Sequence, residues 1–195
     1  MDINIPSEFI KMNSMPGDPA DSTAYGKETQ AANCYLMIFP IDNRATMPYE
    51  DTQTVINGIH NALTDMQGLI EVKAGKTKSK KKYIYSIVKT KLEPSGMQYV
   101  LTMHIDMKDR AANLQAFFDE TGTTGQRDTL IMSQMFADNK INSSKMDKWF
   151  VDPYDKTFRK GLLMNLSEQS KYDELFPQHP LSEARRFVKY IIENN

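Results

Sequence analysis

The chain has almost no cysteine, no long apolar run and no surplus of either charge, and each lack removes a class of protein. One cysteine among 195 residues, Cys34, excludes an intrachain disulfide framework and any multi-cysteine metal site. The longest nearly apolar run, CYLMIFP at 34–40, is far shorter than the ~20 residues a membrane-spanning helix needs. The opening stretch MDINIPSEFI holds no apolar h-region, so the sequence predicts no secretory signal and a cytoplasmic chain with no membrane attachment. Lys and Arg number 24 against 25 Asp and Glu, a formal charge of −1 that offers no global field to nucleic acid or anionic lipid. The histidines are His60, His104 and His179, with no HExxH or comparable pair, so no metal centre and no cofactor is expected.

What is present is patterned for an α+β fold. Residues 14–22, SMPGDPADS, read as a loop between short extended segments at 9–13 and 23–30. The apolar run 34–40 suits a central strand buried on both faces. Residues 48–67 read as a helix, with Val55, Ile56, Ile59, Leu63 and Met66 at helical spacing and Gly68 as its stop. After that the period changes to two. LIEVKA, KYIYSIVKTKL and MQYVLTMHIDM read as three strands, the last two joined by a turn at 93–96. In the third, Tyr99, Leu101, Met103, Ile105 and Met107 share one face, and Thr102, His104 and Asp106 share the other. Residues 113–120 fit a further strand or a short helix.

The GTTGQRD stretch at 122–128 starts a second helix, with Thr123 and Gln126 at capping-box spacing and Ile131, Met132, Met135 and Phe136 as its apolar stripe. From 140 onward the chain is irregular, anchored by Trp149, Phe150, Tyr154, Phe158, Leu162, Leu163, Tyr172 and Phe176. It closes with an amphipathic helix whose stripe is Ala184, Phe187, Val188, Ile191 and Ile192, with Ser182 as N-cap. Grouped strands joined by hairpins argue for an antiparallel sheet meander packed with helices rather than a doubly wound parallel sheet. We expect one domain over 1–195, an α+β core at 1–139 and an extension at 140–195 that wraps it.

The element order over residues 3–140 carries a resemblance. IPSEFIKMN, the CYLMIFP strand, a helix, the meander LIEVKAGKTKSKKKYIYSIVKT with MQYVLTMHIDM, and GTTGQRD before the closing helix together resemble the PsbP-like and Mog-type family. The resemblance is one of fold and rests on no diagnostic motif, and the chain after 140 departs from it. It implies an α/β/α sandwich serving as an adaptor, lipoprotein domain or accessory subunit rather than an enzyme.

The motifs that suggest chemistry are each weighed against a plainer reading. Gly75-Lys76-Thr77 is not a phosphate loop, because Ile70 stands where the first glycine belongs and a strand follows instead of a helix. Lys73, Lys76, Lys78, Lys80, Lys81 and Lys82 are the one dense charge cluster. They fit a solvated hairpin tip better than a nucleic-acid site, since no aromatic platform is interleaved, and Lys78, Lys80, Lys81 and Lys82 stay candidates for an acidic partner. Thr123, Thr124 and Arg127 are candidates to cup an anion at a helix start, against an ordinary capped helix whose Arg127 pairs with Asp128 or Glu120. His104 and Asp106 share a strand face and are candidate ligand contacts. Cys34 starts the most apolar strand and reads as an inert buried thiol, and no catalytic residue is assigned.

The reading that follows is a non-catalytic protein-binding, accessory or chaperone-like module whose partner is another protein. Its candidate contact surfaces are the face around Thr102, His104 and Asp106, the lysine hairpin, or the tail. The alternative is a small-ligand-binding protein or enzyme with a pocket between sheet and tail, built on His104, Asp106 and Arg127. Convergence of those three side chains in a deep pocket favours the alternative, and a continuous exposed apolar patch favours the module.

Overall fold

Strict alternation of side chains sorts the molecule into two faces of one sheet. The computed structural model describes residues 2–42, 48–142, 146 and 148–195. Its strands are β1 (Ile10–Met12), β2 (Thr23–Glu28), β3 (Ala32–Asp42), β4 (Gln67–Lys76), β5 (Lys82–Lys91), β6 (Met97–Asp106) and β7 (Arg110–Glu120). They form one antiparallel sheet in the order β1-β2-β3-β7-β6-β5-β4. Helix α1 (Thr52–Ala62) carries the chain from central β3 to the far edge at β4, α2 (Gln126–Ala137) follows β7, and α3 (Pro180–Asn194) closes the chain. The fold is α+β, as the grouping of strands implies.

Cross-strand register places Leu36, Ala116, Leu101 and Ile87 in one row, with Ile38, Leu114, Met103 and Tyr85 in the next. These rows form the inner face. The apolar stripe of α3, Leu181, Ala184, Phe187, Val188 and Ile191, packs on it in one buried cluster. On the outer face, Ile56 of α1 packs with Leu69 and Val72 of β4. Burying a side chain of this size contributes roughly 1.5–3 kcal/mol, and burial of this one face penalises any one-residue slip of the strands against each other.

Several local expectations need correction. The 34–40 run is buried mainly through Cys34, Leu36, Met37 and Ile38, while Tyr35 and Phe39 remain half-exposed. Helix α1 stops at Ala62, capped at its start by Asp51, which accepts the Thr54 N–H at 3.0 Å; Gly68 is not its stop but part of β4, and Met66 is exposed rather than core. Residues 113–120 are strand. His179, not Ser182, caps α3: its Nδ1 accepts the Leu181 N–H at 3.2 Å, with Pro180 in the first turn, where a missing N–H costs nothing. The capping box at 123–126 does not form. The residue before α2 is Gly125 in a left-handed conformation (φ 71°), which glycine adopts without steric penalty, and no side chain caps by that route.

The tail is docked by buried polar groups as well as apolar ones. Trp149 is 1% exposed and packs with Ile131 and Met135 of α2, whereas Phe150 and Tyr154 keep much of their surface. Residues 166–168 and 170–172 form two short 3-10 turns laid against the inner face. There Glu168 accepts from Lys89 Nζ of β5 at 2.7 Å and from the Tyr99 hydroxyl of β6 at 2.8 Å. Lys89 and Glu168 are each 1% exposed, so each charge depends on the other for the solvation it has lost. Arg185 of α3 extends the network, donating to Glu71 of β4 (2.9 Å), to Asp173 (3.0 Å) and to the Glu168 carbonyl (2.9 Å). Among the described residues, no helix is long and apolar enough to cross a membrane.

Candidate functional site

The candidate ligand contacts read from the sequence do not meet in one place. His104 and Asp106 lie on the outer face, where the register sets Phe39, Asn113, His104 and Ile84 in one row and Met37, Gln115, Thr102 and Ser86 in the next. Three buried polar atoms here, His104 Nδ1, Asn113 Oδ1 and the Tyr49 hydroxyl, have no hydrogen-bond partner among the described residues. Burial lowers the His104 pKa, so its ring is neutral, and burial followed by the nearby Asp106 charge pushes Tyr49 up to about 12. Asp106 also serves the β6–β7 turn, accepting the Lys108 N–H at 2.9 Å.

Arg127 belongs to the other side of the sheet. It is buried and makes four hydrogen bonds: Nε donates to the Ser167 carbonyl, Nη1 to Ser182 Oγ, and Nη2 to the Gln169 carbonyl and to Asp173 Oδ1, all at 2.8–3.1 Å. Its ion-pair partner is therefore Asp173, and neither Asp128 nor Glu120. Asp128 instead accepts from Ser167 Oγ (2.5 Å) and Asn165 Nδ2 (2.9 Å). Arg127 thus ties α2 to the tail and to α3, a positioning job that occupies the donors an anion would need.

A cavity does open between the end of the sheet and the tail. It measures about 380 Å³ and is bordered by Glu120, Thr123, Gln126 and Arg127 on one side and by residues 175–179 on the other. Of the candidates from sequence, Thr123 and Arg127 line it, while Thr124, His104 and Asp106 do not. The anion cup is already filled from within, because Glu120 Oε1 accepts the Gly125 N–H at 2.9 Å where a phosphate would bind.

The lysine cluster sits at the β4–β5 hairpin, and its backbone has a structural task. Lys78 N–H donates to the Ile192 carbonyl and Ser79 N–H to the Asn195 carbonyl, so the tip satisfies the open C-terminal end of α3. Lys78 and Lys80 are exposed, Lys81 is half-exposed, and Lys82 pairs with Glu50 at 2.7 Å. Lys73 pairs with Glu71 at 2.7 Å.

The most exposed apolar feature was not singled out by sequence reasoning. Ile10, Met12 and Met15 are 73%, 42% and 50% exposed. Ile10 pairs with Gly26 and Met12 with Ala24, so both side chains stand on the outer face. The outer row there runs Ile10, Gly26, Tyr35, Phe117. Gly26 contributes no side chain to it, and a Cβ at that position would overlap Met12 Sδ. Met12 therefore lies over Gly26, between Ile10 and Tyr35, and with Met15 and Phe117 it lines a groove of about 500 Å³. Glu8, Glu28 and Asp119 border it, with Lys27 the basic neighbour, paired with Glu183 at 2.7 Å and with Glu8 at 3.4 Å. Only the pairing of β1 with Gly26, a contact between distant residues, reveals the groove; the one local hint was three large apolar residues within residues 10–15.

Cys34 also borders this groove yet is buried, and burial drives its thiol far above the ordinary range, so it is an inert thiol.

No family model matches the chain, and no curated protein matches it. Among solved structures, the chain is similar to the Ran-binding protein Mog1p of Saccharomyces cerevisiae, with 11% identity over 73% of this chain and 79% of that one and a TM-score of 0.41.

Proposed function

We propose that this chain is a non-catalytic, cytoplasmic protein-binding or accessory module that docks its partner in the groove beside β1. One observation carries the reading: a groove on the outer face lined by the exposed Ile10, Met12 and Met15 with Tyr35 and Phe117, in which the Met12 side chain lies over Gly26. Exposed apolar surface of this kind is costly in water and marks contact sites, and methionine-rich walls adapt to a partner's shape. Glu28 and Asp119 at the rim favour an apolar partner segment flanked by basic residues. The buried Lys89–Glu168 pair and the Trp149 cluster support the view that residues 140–195 belong to the same folding unit as the core and serve as structure, not as the contact surface.

The test is purification of the native complex with three versions of the chain. The unaltered chain is expected to co-purify with a partner in fixed stoichiometry. Ile10→Lys combined with Met15→Lys is expected to lose it while keeping the thermal midpoint, since both side chains are exposed. Lys78→Glu combined with Lys80→Glu is expected to retain it. Loss of the partner in the lysine variant, with retention in the groove variant, moves the contact surface to the hairpin.

A further inference from the structure

The cavity between the end of β7 and the tail has a charge balance that the fold leaves incomplete. Four elements meet there: the β2–β3 turn, the end of β7, the start of α2 and the turn before α3. The carboxylate of Glu120, with its side chain 8% exposed, stands in the wall. Its hydrogen-bond donors are neutral backbone groups, the Gly125 N–H at 2.9 Å and the Met97 N–H. The charged or titratable neighbours do not neutralise it. Arg127 directs its guanidinium to Asp173, Ser182 and two carbonyls. His179 Nε2 is 3.9 Å from Glu120 Oε1. Because His179 Nδ1 accepts the Leu181 N–H, the ring proton is on Nε2, and burial with the Arg127 and Arg185 charges holds the imidazole neutral, its pKa pushed down to about 3. Burial first, and then the Asp128 and Glu168 charges, raises the Glu120 pKa, which is the response of a carboxylate short of positive charge.

The geometry points to a binding site for a small organic cation, a primary ammonium or guanidinium on a short aliphatic stem, with Glu120 as the counter-charge. Leu175, Phe176 and Pro177 give the stem an apolar wall. Gln126, Gln178 and the Thr123 hydroxyl supply acceptors for the N–H groups that Glu120 does not take. A cavity of about 380 Å³ falls within the size range of small-molecule sites. A metal ion is a poor match, because no group of three His, Cys, Asp or Glu converges among the described residues. An anion is excluded by Glu120 itself. The site is separate from the groove beside β1, so the two readings stand or fall independently.

The experiment is an NMR titration of the ¹⁵N-labelled full chain with agmatine, n-butylammonium and inorganic phosphate. Agmatine and n-butylammonium are expected to shift the Ala31, Gly125, Gln126 and Gln178 amides in a saturable way, and phosphate to shift none of them. Glu120→Gln keeps an acceptor for the Gly125 N–H and is expected to weaken agmatine binding about tenfold or more, the cost of one charge-assisted hydrogen bond. Leu175→Lys, at a position that is largely exposed, places the protein's own ammonium at the cavity mouth and is expected to displace agmatine without disturbing the fold. The proposal fails if agmatine leaves those amides unmoved, if it binds Glu120→Gln and Leu175→Lys as well as the unaltered chain, or if phosphate is the probe that saturates the site.

Discussion

The two edges of the sheet are treated differently: one is covered by the chain itself and the other is not. At the β4 edge the chain returns to cover its own strand. The Tyr154 hydroxyl accepts the Val72 N–H (2.5 Å) and donates to the Val72 carbonyl (3.0 Å), and Leu162 N–H donates to the Gln67 carbonyl at 2.7 Å. Glycine at 68 is required for this seal, since a Cβ there would overlap the Leu162 carbonyl, and Gly161 makes the turn that brings Leu162 in (φ 74°). At the β1 edge nothing of the kind occurs among the described residues. The strand is three residues long, and Ile10, Met12 and Met15 stand exposed, with Met12 lying over Gly26. Edge strands in stable monomers are covered, shortened or charged. β1 is short and carries Lys11, which limits strand addition, yet its outer-face side chains are apolar. That combination suits docking of side chains into the groove better than pairing of backbones along the edge.

The largest effect that would break this contrast lies beneath the sealed edge. Glu168→Ala leaves Lys89 charged and buried, and is expected to cost about 3–5 kcal/mol in denaturant unfolding, with the amide of Val72 exchanging faster as the tail loosens from β4. Gly68→Ala attacks the seal directly. It forces Leu162 away from β4 and is expected to cost about 1–3 kcal/mol, while β1 amides keep their protection.

A smaller effect comes from pH. The His179 pKa falls from 6.5 to about 3 on folding, so the unfolded chain binds the extra proton; the stability this histidine contributes is full above pH 6.5 and is lost as pH drops toward 3. His179→Asn, which keeps a side-chain acceptor at the α3 cap, is expected to flatten the stability curve between pH 6.5 and 4. A slope unchanged in that variant assigns the acid sensitivity elsewhere, with His104, whose pKa burial also lowers, the next group to examine and Glu71 a group that acts at lower pH. Burial alone would raise the Glu71 pKa, but hydrogen bonds from Lys73 and Tyr85 and the Arg185 charge outweigh it and hold it low. Its contribution is therefore lost only as pH falls through that lowered value. The smallest expected effect is at the open edge, where Ile10→Lys is expected to change stability by no more than about 0.5 kcal/mol.

The parts of the fold legible in the sequence are those fixed by local period. The alternation of Tyr99, Leu101, Met103 and Ile105 against Thr102, His104 and Asp106 predicts β6 and its two faces, because one face is buried and a one-residue slip would invert it. The α3 stripe is legible for the same reason. Misreadings occur where a distant residue takes over a local role. Gly68 looks like a helix stop because the Leu162 carbonyl that it accommodates is more than ninety residues away. Thr123 and Gln126 look like a capping box, but Glu120 at the end of β7 takes the Gly125 N–H. Arg127 finds Asp173, 46 residues on, instead of its neighbour Asp128. The groove depends on Gly26 lying between Ile10 and Tyr35, a juxtaposition that exists only once β1, β2 and β3 have paired.

The central claim, that the open edge is a docking surface and the sealed edge is not, is tested most directly by site-specific photocrosslinking in cells, with the photoreactive residue placed at Ile10 or, on the tail beside β4, at Arg159. The account predicts a discrete adduct from position 10 that Met12→Lys abolishes, and none from position 159. Adducts of equal yield from both positions, or one from position 10 that Met12→Lys leaves intact, would contradict it.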